Sequence, residues 1–384
     1  MSKPAGGELG FHARKVSPLQ WPFRIPRRSE IMVTEVIHEP MPYVPSIPLL
    51  RAGVVQPLLD EARAVGAPVG RFLERFSIPG AVEEDPGLVV PELPLWLFVE
   101  AMVCREADPL FGVHACLKTP YIEIPTLLPC LQGSLNLKEL LVRLCAASPT
   151  QSNSSRYALR EEGDLLWIEE TSPPLISDCP GVVLFDVMGM MQVVRLAAGQ
   201  DWMPPVISLN LSRCPEIETA PNLNPSRILF SRPRYGIAVP RRLLPMLVDS
   251  VGDQSLPGGV PGDLSVVGDF PSQLLITLPS YLSEAGFSIA LFAKAIDMSV
   301  RTLQRRLGEA GTSWSRVLER TRFLKALALL RETDLKIVEV AWEVGYTHAS
   351  TFCHSFHKLS GVSPSEYRWH FGEMGTSGQE GSGQ

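Results

Sequence analysis

The helical period is clearest near the C-terminal end of this 384-residue chain. In SIALFAKAIDM, Ile289, Phe292, Ala293 and Ile296 fall at i, i+3, i+4 and i+7, the spacing of one buried stripe. Ser299 offers an N-cap for a second helix, SVRTLQRRLGEAG, which Gly311 can end. A second pair repeats this plan. Ile337, Val340, Ala341 and Val344 make an inward stripe, Gly345 breaks the helix, and a helix over about 348–359 buries Phe352, Phe356 and Leu359 before Gly361. Residues 288–311 and 336–361 therefore each read as helix, tight turn, helix.

Between the units, Trp314, Val317, Leu318, Thr321, Leu324, Leu327 and Ala328 line one face of an amphipathic helix. Residues 314–331 make a rod of roughly 27 Å at 1.5 Å per residue. Successive major-groove faces of a duplex lie about 34 Å apart, so such a rod can place the two units in neighbouring grooves.

The polar faces suggest what the units do. In the first, Leu303 and Leu307 point inward, so at 100° per residue Arg301 and Arg305 point outward, with Gln304 on the flank. Arg can contact a guanine edge in bidentate fashion and Gln an adenine edge. In the second, Ser350, His354 and His357 face outward with Lys358 beside them. A solvated helix face is the plainer reading of both sets. His354 and His357, with Cys353 adjacent, also resemble a metal pair, but no third or fourth ligand at suitable spacing completes a zinc site.

These residues carry a resemblance. Phe292-Ala293, Ser299, Leu303-x-Arg305-x-Leu307, Gly311, Arg322, Ala326, Leu329-Leu330, Val340-Ala341-x-x-Val344-Gly345-Tyr346, Phe352, Phe356-x-Lys358, Gly361 and Ser363-Pro364-x-x-Tyr367-Arg368 follow in order the signature of the AraC/XylS class of bacterial transcription regulators. The resemblance spans about residues 270–371 and implies an all-α domain with two helix-turn-helix units joined by a long linker helix. It implies a DNA-facing set of Arg301, Thr302, Gln304, Arg305 and Arg306 in the first unit and Ala349, Ser350, His354, His357 and Lys358 in the second. Because Ala349 and Ser350 are small, base readout should concentrate in the first unit, with the second mainly gripping phosphates or making few, weak base contacts. By family habit the resemblance also implies activation and contact with RNA polymerase.

The N-terminal half reads as α+β. Helical patterns cover residues 50–66, 91–105, 137–147 and 181–198, and strand-like stretches cover 155–160, 165–171, 205–212 and 226–239. SRYALR and LLWIEET around EEGD form a hairpin pattern. This order is similar to the arabinose-binding-type sensor domain of the ornithine and arginine regulator subgroup, which implies small-effector binding or dimerisation, with no ligand motif to transfer. The resulting organisation is a disordered tail over 1–31, an effector-binding and dimerisation domain over 32–248, a Gly/Pro/Asp/Ser-rich flexible linker over 249–269, the DNA-binding domain over 270–371 and a disordered tail over 372–384. Patterned sequence begins only after Met32, a candidate start.

Charge sharpens that division. The net charge of −6 is unexpected for a DNA binder until it is divided: residues 270–371 carry 12 Lys and Arg against 9 Asp and Glu, net +3, whereas 32–269 carry 17 against 28, net −11. Seven scattered cysteines without a CxxC pair suggest reduced, buried thiols in a cytoplasmic protein. No secretion signal is visible, and the most apolar stretches, from Leu88 and from Gly181, are broken by proline and glutamate or by aspartate, short of a membrane span. His114, alone in an apolar stretch, reads as a core histidine. Trp167 and Tyr157 on the hairpin read as core or as the wall of an effector pocket, and Trp314 and Trp342 as packing. No catalytic constellation, cofactor motif or metal site stands out. The expected partners are double-stranded DNA, a small-molecule effector, RNA polymerase and a second copy of the chain; a ligand-modifying enzyme with an appended DNA-binding module is the alternative.

Overall fold

The computed structural model describes residues 46–171, 179–224, 226–248, 262–284 and 286–371. Both expected tails, the candidate start at Met32 and residues 249–261 of the expected linker lie outside the described residues. In the N-terminal half, chain order runs β1 (Leu49–Arg51), α1 (Gln56–Ala64), α2 (Val69–Phe76), β2 (Val89–Pro91), α3 (Glu92–Glu106), α4 (Phe111–Lys118), α5 (Leu128–Leu131) and α6 (Leu137–Gln151). It continues with β3 (Tyr157–Glu162), β4 (Leu165–Glu170), α7 (Pro180–Ala198), β5 (Val206–Ser208), α8 (Pro215–Thr219), β6 (Arg227–Leu229) and β7 (Gly236–Pro240). The sheet order is β3-β4-β7-β5-β6, antiparallel except for the parallel β5–β6 pair. The hairpin forms as its pattern implies, with Gly163 taking positive φ in the turn.

Helix α7 is the centre of this half, packed on α3, α4, α6 and β7. It approaches α4 so closely that a Cβ on Gly112 would lie 2.0 Å from the Gly181 carbonyl, and that crossing requires glycine. By length and composition α7 could cross a membrane, which corrects the expectation drawn from its aspartate. Its apolar residues instead fill the core, from Val183 and Phe185 to Met191 and Val194.

Two other expectations change. The apolar run from residue 50 opens as a strand, because Leu49, Leu50 and Arg51 pair with Pro91, Val90 and Val89; helix α1 starts only at Gln56. The stretch 226–239 is two strands, since Pro233 lies between them and Ser231 adopts φ 54°.

The C-terminal half contains α9 (Phe270–Thr277), α10 (Ile289–Ala295), α11 (Val300–Glu309), α12 (Trp314–Glu332), α13 (Ile337–Glu343), α14 (Ala349–Ser360) and α15 (Pro364–Phe371). Serine side chains start three of these: Ser288, Ser299 and Ser313 accept from the backbone N–H of Leu291, Thr302 and Arg316. Ahead of α9, Leu264 and Val267 are buried within the stretch expected to be linker.

Helix α12 does not use the single face expected of it. Val317 and Thr321 are buried toward one end and Ala326, Leu327 and Leu330 toward the other, while Leu324 and Ala328 stay half-exposed. At 100° per residue the two buried sets are rotated by roughly 150° from each other. The linker helix thus turns nearly opposite faces to two separate cores. The first core joins Leu274, Tyr281, Phe292, Leu303, Leu307 and Val317 to Ile47, Leu49 and Val89 of the N-terminal half. The second contains Ala326, Leu330, Val340, Ala341, Val344, Phe352 and Phe356. Leu359, at the end of α14, is 43% exposed and Trp342 57% exposed, so neither packs as expected.

Candidate nucleic-acid interface and buried pocket

Helix α11 is anchored by Leu303 and Leu307, both fully buried, and this fixes what it shows to solvent. Arg301, Gln304 and Arg305 are exposed together, while Thr302 is half-buried at the cap, its hydroxyl 2.9 Å from Ser299 Oγ. Arg305 Nη1 lies 2.6 Å from Glu309 Oε1. Both groups are solvated, so little energy is lost when a phosphate or base edge replaces the glutamate. Arg306 sits apart from this set. Its guanidinium is 5.5 Å from the Phe270 ring centroid, and its Nη1 points at the Ser46 carbonyl, 3.5 Å away.

Helix α14 is anchored by Phe352 and Phe356, whose rings meet each other and Tyr346, Phe323 and Tyr367 in tilted or edge-on contacts at centroid distances between 5.3 and 5.8 Å. Ser350, His354 and His357 are exposed, whereas Ala349 is half-buried against the core. Lys358 is exposed, 4.0 Å from Glu319 of α12. The turn before α14 is held from below: Arg322 donates to the Gly345 carbonyl at 3.0 Å and lies over the Tyr346 ring at 4.8 Å. Gly345 has φ 78°, and a Cβ there would meet the Leu282 carbonyl at 2.6 Å.

The N-terminal half holds a cavity of about 90 Å³ between α3, α6, α7 and the sheet. Glu92, the first residue of α3, accepts hydrogen bonds from Trp96 Nε1 at 2.7 Å, from Ser152 Oγ at 3.2 Å and from Ser154 Oγ. Across from it, Asp186 of α7 accepts from Tyr235 Oη at 2.6 Å, and the Tyr121 and Tyr157 hydroxyls lie 3.4 Å apart. Burial pushes both carboxyls up to about 7, against the pull of these donors and with Glu170 adding repulsion. Burial likewise raises all three tyrosines, with the Asp186 charge second.

Tyr157 therefore does line a pocket, whereas Trp167 is buried beneath the Arg160 guanidinium, 5.3 Å from its ring. His114 is not a core histidine; its imidazole is 45% exposed and Nδ1 lies 3.0 Å from Asp108 Oδ2. Of the cysteines, Cys116 and Cys179 are buried but Cys104 is exposed. Glu92 and Asp186 had a trace in the sequence, each being the acid that interrupts an apolar run. That signal was legible as an interruption, and not as a site.

Comparison with known proteins follows the same division. Residues 66–247 match the model described as the arabinose-binding domain of AraC transcription regulators, N-terminal, and residues 292–369 match a helix-turn-helix domain. An uncharacterized HTH-type transcriptional regulator of Mycobacterium tuberculosis is 47% identical over 75 residues, 20% of this chain and 22% of that protein. The chain thus matches about a fifth of the length of such relatives. The HTH-type transcriptional regulator VirS of M. tuberculosis is 24% identical over 344 residues, 85% of this chain and 98% of VirS. The crystal structure of the transcriptional regulator CdpR from Pseudomonas aeruginosa aligns over 86% of this chain and 100% of CdpR, with 17% identity and a TM-score of 0.38. One domain model matches each half, in the order found in AraC-type transcription regulators, and the chain is similar to that family over both halves.

Proposed function

We propose that the chain regulates transcription by laying both helix-turn-helix units on duplex DNA, and that a small molecule in the Glu92–Asp186 cavity controls how it does so. We take 32–248 as the effector half, 249–269 as the connection and 270–371 as the DNA-binding half. In the first unit Arg301, Gln304 and Arg305 read bases, with Thr302 and Arg306 at the margins of that face. In the second, Ser350, His354, His357 and Lys358 mainly meet phosphates, and Ala349 adds a small apolar contact. Activation through RNA polymerase, a homodimer and a cytoplasmic location are drawn from the family resemblance. An enzymatic role is disfavoured by the same resemblance.

The observation that carries the regulatory part is the β1–β2 ribbon. Alternate residues of a strand face opposite ways, and here Leu49 and Val89 enter the core of the first DNA-binding unit while Leu50 and Val90 enter the sensor core. Glu92 follows β2 directly, and Leu50 lines the cavity beside it. Asn153, between the two serines that bind Glu92, accepts from Leu49 N–H at 2.7 Å and donates to the Ile47 carbonyl at 2.9 Å. Gln273 of α9, fully buried, accepts from Ile47 N–H at 3.1 Å. A ligand that moves Glu92 or Ser152 therefore acts on the platform under α9 and α10. The test is selection of preferred sites from random DNA by the full chain. The expected result is an enriched sequence bound more tightly than random DNA at fixed salt, and the absence of any enriched sequence would overturn the reading.

A further inference from the structure

The cavity between α3, α7 and the sheet has a chemistry that selects a class of ligand. Resting on the reading of this cavity as the effector site, we propose that it takes a small primary ammonium ion, bound with its nitrogen between the Glu92 and Asp186 carboxyls and its alkyl stem against the aromatic wall. Both carboxyls are buried, at 5% and 9% exposure, and among the described residues their side-chain hydrogen-bond partners are neutral hydroxyls or an indole: Trp96, Ser152 and Ser154 for Glu92, Tyr235 and Tyr157 for Asp186. Among the described residues, none that lines the cavity is Lys, Arg or His. A buried carboxylate without a compensating cation is costly, and the cost is relieved either by a proton or by a cation brought in from outside.

The rest of the wall fits the second option. Trp96, Tyr121, Tyr157 and Tyr235 give it several aromatic groups, the kind of surface on which an alkylammonium is stabilised by the ring quadrupoles. Leu50, Val54 and Val183 supply an apolar floor for a short stem. An anion would face three acids, Glu92, Glu170 and Asp186, and no cationic side chain among the described residues of the lining. A neutral polyol would find acceptors that are already occupied by serine and tyrosine hydroxyls. The space, about 90 Å³, suits a short chain.

Proton linkage gives the class a signature. The charged and titratable groups facing the site are Glu92 from α3, Glu170 from β4, Asp186 and Cys179 at α7, and Tyr121, Tyr157 and Tyr235. An ammonium ion requires ionised carboxyls, whereas both hold their protons up to about pH 7 in the free protein. Binding must then release protons, and affinity rises as pH increases through that range.

The test uses the full chain with three probes of similar length, n-butylammonium, 1-butanol and butyrate, followed by calorimetry at pH 6 and pH 8 and by affinity for the selected DNA site. The expected result is binding of n-butylammonium alone, about a hundredfold tighter at pH 8 than at pH 6 as both carboxyls ionise, about tenfold for each. Glu92→Gln and Asp186→Asn are each expected to abolish the pH dependence they contribute and to weaken binding at least about tenfold. Should either variant fail to fold, the probe series and pH dependence of the unmodified chain still decide. Equal binding of 1-butanol without pH dependence would overturn the ammonium class and leave the effector pocket standing. Ammonium binding that leaves DNA affinity unchanged would keep the site and remove its role as an effector site. Binding of none of the three probes would overturn both.

Discussion

The two helix-turn-helix units look alike in sequence but are built into the molecule differently. The first shares its core with Ile47, Leu49 and Val89, and Tyr281 Oη donates to the Ser77 carbonyl at 3.1 Å, so it is continuous with the N-terminal half. The second closes on itself: the residues of its core described here run from Phe323 to Tyr367. Its exposed helix face is also poorer, with serine and two histidines where the first unit has two arginines and a glutamine. The unit that exposes two arginines and a glutamine is thus the one tied to the N-terminal half. Under the proposed assignment of roles, control is exerted most directly at the reader and not at the phosphate-gripping partner.

The largest expected effect comes from emptying the two cores. Phe292→Ala and Phe352→Ala each remove a fully buried ring and should each cost about 3–5 kcal/mol in denaturant unfolding. They should differ in reach. Amide exchange is expected to spread from Phe292→Ala into β1 and β2, and from Phe352→Ala to stay within the region from Phe323 onward. Equal spread from both would break the comparison.

Next comes the join between the units. Gly345→Ala must move the Leu282 carbonyl from a backbone already at positive φ, and should cost about 1–3 kcal/mol. Gly311→Ala has the same sign of φ but open space around it, and should cost about 1 kcal/mol. Thermal unfolding of both variants measures the difference, and an equal loss would show that the Leu282 contact is immaterial.

The ribbon gives a third test. Asn153→Ala leaves the buried Leu49 N–H and Ile47 carbonyl without this partner, which should cost about 1–3 kcal/mol of stability. It should also reduce the coupling between cavity and DNA, read as a smaller change in DNA affinity on adding a cavity ligand. Unchanged coupling would detach the ribbon from the signal.

Much of the second unit was legible because its determinants are local. The stripe Val340, Ala341 and Val344, the break at Gly345 and the pair Phe352 and Phe356 are read within one or two helical turns. The first unit was half-legible: Ser288 and Ser299 are caps visible in sequence, but its debt to Leu49 and Val89 spans more than 200 residues and leaves no periodic mark. The rotation of α12 was missed because one stripe through Leu324 and Ala328 satisfies the helical period equally well; only the existence of two cores on opposite sides selects Ala326 and Leu330. Strand β1 was missed for a related reason, since three apolar-flanked residues pair with a partner about forty residues away. The cavity was illegible because Glu92, Ser154, Tyr157, Asp186 and Tyr235 meet only in the fold, although the first and fourth of these are acids in apolar runs.

The central claim is that sequence readout resides in the first unit, and binding of the full chain to its selected site at one fixed salt concentration tests it most directly. Arg301→Ala is expected to weaken specific binding by about 1–3 kcal/mol while leaving binding to random DNA little changed, and His354→Ala to weaken it by less than about 0.5 kcal/mol. Equal losses from the two substitutions would contradict the account.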